Sequence, residues 1–360
     1  MHVCLICVEI FAWGKYGGFG RATRLIGREL AKRGVKVSAI VPRRPGQKAR
    51  EELDGISVYG FTQNEIFSSG ELYRWVDADV YHSEEPSLGT YLALQAAPHR
   101  KHIITFRDTR NFGDWLTEFS LPSASRGQVL LNYLYEDNFL VRKGVRRANE
   151  CYAASKLLIE KARRKYRLRK DPRFLPTPVS VPKQIEKSTS PTVCFISRWD
   201  RRKRPEEFFK LARQFPGVKF IAIGASRDKK WDHYLRQKYA EIPNLQMTGF
   251  IDQFSGRGIA DFLEKSWVLV NSSAREGLPN SFLEACASQC ALLSSVNPDD
   301  FASNFGIWVK DGDFAGGLRE LLKDDLWREQ GKRGYDYVRE QFEIEQAIDE
   351  HIKVYRSLGG

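Results

Sequence analysis

No stretch of this sequence approaches the run of about 18 apolar residues that a membrane-crossing helix requires. The six cysteines, at positions 4, 7, 151, 194, 286 and 290, include one C-x-x-C but no second pair and no companion histidine cluster. A zinc ribbon or finger is therefore excluded, and a strand would point Cys4 and Cys7 to opposite faces, so buried reduced thiols are expected. No G-K-[ST] follows a glycine-rich turn, and a G-x-G-x-x-G begun at Gly18 fails at Thr23, which removes both common nucleotide fingerprints. Tandem repeats of solenoid period and low-complexity tracts are also missing. The apolar amino-terminal run has no basic region before it and passes straight into a glycine turn. It reads as a first strand rather than a secretion signal, and a cytoplasmic location is the expectation. Asp77-Ala78-Asp79 has the D-x-D form of a divalent-ion site, but Asp79 leads into the run D-V-Y-H and is read as opening a strand, so no metal is expected.

What the chain does have is a rhythm. At 360 residues it exceeds what one core usually holds, which predicts two domains. An apolar run from His2 to Ile10 leads through Tyr16-Gly17-Gly18-Phe19-Gly20-Arg21 into an amphipathic helix from Thr23 to Arg33 that closes at Gly34. Runs at Val35 to Val41, Val80 to His82, His102 to Phe106 and Cys151 to Ala153 then alternate with helical patterns, as βαβ units around a parallel sheet do. The segment Pro182 to Pro191 is polar, proline-bounded and free of aromatics, and reads as a linker. Beyond it the alternation restarts at Val193 to Ile196, Val218 to Ile223, Leu245 to Met247, Trp267 to Asn271 and Ala291 to Ser294. A last helix near Glu345 to Leu358 carries Ile348, Ile352 and Tyr355 at helical spacing.

Three segments carry candidate chemistry. Arg275 to Ala287 reads R-E-G-L-P-N-S-F-L-E-A-C-A and sets Glu276 and Glu284 eight positions apart. Gly277 and Pro279 argue against a helix through Glu276, and Pro279 is best read as the first helical position, with Glu276 before the helix and Glu284 inside it. Backbone N–H groups near Leu278, Asn280 and Ser281 would present the positive end of the helix dipole to a phosphate, although a glutamate before a helix also merely complements that dipole. Upstream, Ser197 to Pro205 places five basic residues within seven positions between an apolar run and a helical pattern, which reads either as an anion clamp or as a solvated basic face. The glycine turn at the amino end reads either as a phosphate approach or as a plain strand-to-helix connection.

Taken together, these segments resemble the retaining GT-B glycosyltransferases of the group-one family, with their E-x7-E motif, an Arg and a Lys five residues apart (Arg198 and Lys203) and a GG-x-x-R turn. The resemblance implies an α/β fold of two Rossmann-like domains facing a cleft, residues 1–182 with 345–360 crossing back and residues 183–344. It implies a metal-independent transfer of a hexose from a nucleotide diphosphate sugar, with hinge closure over the site and with that donor as substrate rather than cofactor. Glu276 would face the sugar, Arg198 and Lys203 would clamp the diphosphate, and Glu284 would accept from the ribose. Gly277, Leu278, Pro279, Asn280, Gly17 and Gly18 would line the donor, and Phe19, Arg21 and Arg107 the acceptor. The chain departs from the family at Ser197 and Arg204, where glycine is usual, at Arg107, where many relatives have histidine, and after Ser294, where a glycine turn is missing. Arg107 is read either as gripping an anionic group of the acceptor or as pairing with Asp108. A GT-B epimerase or phosphorylase, and a non-catalytic basic binding module, are the alternative readings.

Charge is uneven. Residues 1–182 hold 30 Lys and Arg against 19 Asp and Glu, and the remainder holds 27 against 26, so nearly all of the net +12 lies in the first half. A basic acceptor half suits an anionic acceptor or the inner face of an anionic membrane, with the chain peripheral to it. Two segments offer that contact, Val129 to Val145 and the seven basic residues of Lys161 to Lys170, and both also read as ordinary helices with cationic ends. No helix-turn-helix, RNP-like strand or finger spacing supports a specific nucleic-acid partner.

Overall fold

A computed structural model describes residues 1–14, 16–62, 65–123, 125–254 and 258–359. It divides into two compact units, Met1–Asn111 with Leu130–Pro178 and Ile344–Gly360, and Phe112–Val129 with Val179–Glu343. The sequence pattern predicts one boundary near residue 182. The structure instead sets Phe112–Val129 apart from its flanking chain and with the second unit, for a reason found in its ion pairs below.

The chain runs through β1 (His2–Ile6), α1 (Gly18–Lys32), β2 (Lys36–Pro42), β3 (Arg50–Leu53), β4 (Ile56–Phe61), α2 (Ser69–Val76), β5 (Val80–Ser83), α3 (Leu88–Ala96) and β6 (Lys101–Phe106). It continues through α4 (Phe112–Ser120), α5 (Arg126–Glu136), α6 (Phe139–Arg147), β7 (Glu150–Ala153), α7 (Lys156–Tyr166) and β8 (Arg173–Phe174). In unit 1 the sheet order is β3-β4-β2-β1-β5-β6-β7-β8, parallel except for β3 at the edge. Both sides of β1 are covered, so Val3, Cys4, Leu5 and Ile6 are all buried, as the uninterrupted apolar run requires. Ile26 and Leu30 of α1 pack on one face of that sheet with Ile348, Ile352 and Tyr355 of the last helix. Burial of side chains this size stabilises by roughly 1.5–3 kcal/mol each, which fixes the terminal helix to unit 1.

Unit 2 is built from β9 (Thr192–Ile196), α8 (Pro205–Gln214), β10 (Lys219–Ile223), α9 (Lys229–Lys238), β11 (Leu245–Gly249), α10 (Ala260–Lys265), β12 (Val268–Asn271), α11 (Asn280–Ala287), β13 (Ala291–Ser294), α12 (Phe301–Asn304), β14 (Gly306–Trp308), α13 (Phe314–Leu322) and α14 (Leu326–Gln341). The last helix, α15 (Ile344–Gly359), belongs to unit 1. The second sheet is wholly parallel, in the order β11-β10-β9-β12-β13-β14. Each sheet therefore reverses its winding once, between β1 and β5 in unit 1 and between β9 and β12 in unit 2. In doubly wound folds a ligand crevice opens at that reversal, outside the carboxyl ends of the strands. Among the described residues no helix is long and apolar enough to cross a membrane.

Candidate active site

In unit 2 the reversal point brings together the segments after β9 and β12. After β9, Ser197 N–H donates to Ile223 O (3.2 Å) and Trp199 N–H to Ala225 O (3.1 Å), folding the loop against the end of β10. Gly224 permits that approach, since a Cβ there would lie 1.8 Å from Ser197 O at φ +136°. Asp200 accepts from Lys203 N (3.3 Å) and caps a single 3-10 turn over Arg201–Lys203. Arg204 then takes a left-handed φ of +47° before Pro205 opens α8. A β-carbon pays roughly 1–3 kcal/mol in that region, which accounts for glycine being usual there in the family. Here Arg204 is held in place by its own side chain, with Nε donating to Ser272 O (2.5 Å) and Nη2 to Ser295 Oγ (2.9 Å). Ser272 Oγ lies 2.8 Å from both Lys203 O and Arg204 O, closing the two loops on each other.

That closure sets Lys203 against Glu276. Lys203 Nζ donates to Glu276 Oε1, and Ser273 Oγ donates to the same oxygen at 2.7 Å. Oε2 accepts no hydrogen bond from the described residues. Burial pushes the Glu276 carboxyl up, but Lys203 and then Arg202 outweigh it and hold the group below the usual glutamate range. It is an anion 15% exposed, with one oxygen left for a ligand. Gly277, Leu278 and Pro279 form the half-buried turn that follows, and α11 begins at Asn280. Pro279 is thus the flanking residue and not the first helical one, a shift of one position that leaves its φ of −66° just as suitable. Glu284 stands inside α11 and is buried. Arg198 does not join the pair. Its guanidinium lies 3.7 Å from Asp200 and is 31% exposed.

Residues on either side of the pair are braced from a distance. Arg202 Nη1 donates to Glu118 Oε1, Arg275 Nη1 donates to the same oxygen at 3.2 Å, and Arg275 Nε lies 2.8 Å from Asp114 Oδ1. All four side chains are largely buried. Asp114, Trp115 and Glu118 share the inner face of α4, so this cluster is what sets α4 with unit 2. Ser273 was within reach of sequence reasoning, beside Glu276 in the run S-S-A-R-E. Glu118 was not, because nothing local ties it to an arginine 157 positions away.

Unit 1 holds the remaining candidates. α1 begins at Gly18, five residues before the expected start, with Gly17 as its flanking residue. The helix start already has an internal anion, since Glu9 Oε1 accepts from Gly20 N (3.2 Å) and a Cβ on Gly17 would fall 1.9 Å from that oxygen. Gly17 and Gly20 leave room for Glu9, whose carboxylate meets the positive end of the α1 dipole beside Gly18. Phe19 is half-buried, and Arg21 N donates to Gly17 O (3.1 Å).

Arg107 is buried and pairs neither with Asp108 nor with solvent. Its Nε donates to Glu84 Oε2 (2.7 Å) and its Nη1 to Thr177 Oγ1 (2.8 Å), so its guanidinium is engaged within unit 1. Glu84 Oε1 lies 3.3 Å from His82 Nδ1, which is 2.7 Å from Tyr355 OH on α15. Beside this network, Glu85 Oε2 accepts from Arg107 N (2.6 Å) and Asp108 N (2.9 Å) at the end of β5. Burial nevertheless raises its carboxyl to about 7. The D-x-D pair is also engaged internally, with Asp77 accepting two bonds from Arg100 (2.8 and 2.6 Å) and Asp79 accepting from His2 N (2.8 Å), at the amino ends of the strands.

Two doubly wound parallel sheets, with paired loops at the reversal point of the second, define the chain as a GT-B protein. The sequence model of the glycosyl transferases group 1 matches residues 179–340, and that of glycosyltransferase family 4 matches residues 16–181. The chain belongs to this family of glycosyltransferases. Its fold is similar to that of sucrose-phosphate synthase from Thermosynechococcus elongatus, at TM-score 0.74 and 17% identity over 99% of this chain and 98% of the other. It is similar to Anabaena HepE, solved in complex with UDP and glucose, at TM-score 0.72 and 12% identity over 99% of both chains. A glycosyltransferase from Rickettsia africae matches at TM-score 0.69 and 14% identity over 99% and 98%. A search of curated protein sequences finds no match to the chain.

Proposed function

We propose that this glycosyltransferase moves a hexose from a nucleotide diphosphate sugar to an acceptor with retention at the anomeric carbon, and that it does so without a metal. The observation that carries this reading is the Lys203–Glu276 pair at the reversal point of unit 2, with Glu284 eight positions on and inside α11. The free Oε2 of Glu276 accepts a sugar hydroxyl, and its charge steadies the oxocarbenium character that develops as the glycosidic bond breaks. Arg198, which is partly exposed, and Lys203 meet the diphosphate and offset the charge it gains on leaving, the part a divalent ion plays elsewhere. Asn280 and the turn Gly277–Pro279 offer the start of α11 to the same phosphates, and Glu284 accepts from the ribose. Retention follows a front-face course, in which the departing diphosphate oxygen takes the proton of the attacking acceptor hydroxyl. Complexes of HepE with UDP and with UDP-glucose make a uridine donor the first to try.

The acceptor is anionic or carried at a membrane, a reading supported by the excess of positive charge before residue 182. Phe19 and Arg21, beside the glycine turn of unit 1, are the proposed acceptor contacts. Calorimetry with UDP, GDP and ADP tests the donor site. One of them should bind, and Lys203→Ala should weaken it by about 1.5–3 kcal/mol for the lost charged hydrogen bond. Binding of none, or equal binding by the variant, would remove the assignment. NMR of the product's anomeric proton tests retention, and incubation of donor alone or with phosphate separates transfer from epimerisation and phosphorolysis.

A further inference from the structure

Unit 1 turns an apolar ridge towards solvent where an ordinary surface helix would bury it. On α5, Leu130, Leu131 and Leu134 are each 54% exposed, and Phe139, at the start of α6, is 75% exposed. Asn138 joins the two helices, with Nδ2 donating to Leu134 O (2.6 Å) and Oδ1 capping α6 through Val141 N (3.0 Å). The inward residues Tyr135 and Leu140 both pack on the Tyr73–Tyr81 core cluster, so the two helices bury one apolar face and leave the leucines on another. Within unit 2, α4 shows the same inversion, with Phe112, Leu116 and Phe119 exposed at helical spacing. Single exposed leucines are ordinary; a contiguous ridge marks an interface.

The charge beside the ridge says what kind. Between Leu130 and Lys170 there are 12 Lys and Arg against 4 Asp and Glu. Arg142, Lys143, Arg146 and Arg147 of α6 are all exposed. Arg142 Nη2 donates to Asp137 Oδ1 (3.2 Å) and Arg146 Nε to Tyr166 O (2.8 Å), whereas Lys143 and Arg147 make no ion pair among the described residues. We propose that the Leu130–Arg147 face docks unit 1 onto an anionic lipid bilayer. Leu130, Leu131, Leu134 and Phe139 enter the boundary between headgroups and acyl chains, and the cations of α6 meet the lipid phosphates. A second copy of this chain would bring like charge to the same face, and a nucleic acid would leave the leucines in water. The proposal deepens the reading of a membrane-borne acceptor and rests on it only for its purpose, since docking needs no donor.

The test is cosedimentation of the full chain with vesicles of phosphatidylcholine alone and of phosphatidylcholine mixed with phosphatidylserine. Binding is expected to the mixed vesicles only, fading as salt shortens the reach of exposed charges. The variant Leu130→Ser/Leu131→Ser/Leu134→Ser should bind at least about tenfold more weakly, given the apolar area withheld. Lys143→Gln and Arg147→Gln should each lose about fivefold, the equivalent of about 1 kcal/mol per cation. All of these positions are exposed, so thermal melting should be unchanged, and nucleotide affinity measured alongside keeps failure of the donor reading separate. Absence of binding to mixed vesicles at low salt, or variants that bind like the parent, would overturn the proposal. So would a sedimentation dimer that the leucine variant abolishes, which would give the face to a second copy.

Discussion

Glu276 keeps its charge because Lys203 stands against it, and that makes the pair sensitive to acid. A carboxyl held below its ordinary value contributes stability that is complete above about pH 4.3, the unfolded glutamate value, and is lost as pH falls through the lower folded value. Urea unfolding below pH 4.3 should therefore show a steeper loss for the parent chain than for Glu276→Gln; parallel losses would mean that the pair carries no linkage. The two carboxylates should also separate in function, with Glu276→Gln losing turnover at nearly constant nucleotide affinity and Glu284→Ala losing affinity itself. Kinetics and calorimetry on the same two proteins decide this, and equal effects on both quantities would end the distinction. At this scale the interval from Arg198 to Lys203 and the spacing of Glu276 and Glu284 were visible in the sequence, because each depends on a local turn. Arg107 was not legible. Its partners Glu84 and Thr177 lie 23 and 70 positions away, and only the pairing of β5 with β6 brings the first of them near.

Strands and helices were read well where their pattern was continuous. The apolar runs of β1, β2, β9, β10, β12 and β13 stood out because strands covered on both faces have no polar interruption. The hairpin of β3 and β4 was missed, since Arg50–Leu53 is charged, half exposed and sits at the sheet edge. The span Val129 to Val145 proved to be two helices, broken at Asp137 and Asn138 where the asparagine caps α6. Lys161 to Lys170 likewise proved unequal in its charges. Lys165, only 10% exposed, pairs with Asp137 (2.8 Å) and donates to Arg110 O (2.6 Å), so it belongs to the packing and not to a cationic surface. The element with most leverage is α4, whose Glu118 serves both Arg202 and Arg275. Glu118→Gln should leave the buried Arg202 guanidinium without its carboxylate and Arg275 with Asp114 alone, a loss on the order of 3–5 kcal/mol in urea unfolding. Glu118→Asp should recover part of it. A loss below about 1 kcal/mol would show that the contact is no more than a surface pair.

Across the whole molecule, two histidines report the docking of α15. His82 and His351 are fully buried, and burial lowers each to about 4. His351 Nδ1 is 2.8 Å from Ala347 O while Nε2 has no hydrogen-bond partner, a state that suits a neutral ring. The folded chain thus leaves both rings neutral in a range where the unfolded chain protonates them. Their contribution is complete above about pH 6.5 and is lost as pH falls towards 4, by at most about 1.4 kcal/mol per pH unit for each ring. Unfolding at pH 7 and pH 5 should show a shallower slope for His351→Gln, and an unchanged slope would remove His351 from the account. The division of the chain into three stretches for unit 1 and two for unit 2 has a further consequence, which concerns time. Translation delivers residues at about 5–20 per second, and domains ordinarily fold in the order they are made. Here that order is inverted, because Phe112–Val129 and Val179–Glu343 are complete while the β1–β6 sheet still lacks Ile348, Ile352 and Tyr355. The first half of the chain waits on the ribosome for Ile344–Gly360, with an uncovered apolar face that a chaperone can hold and a protease can find.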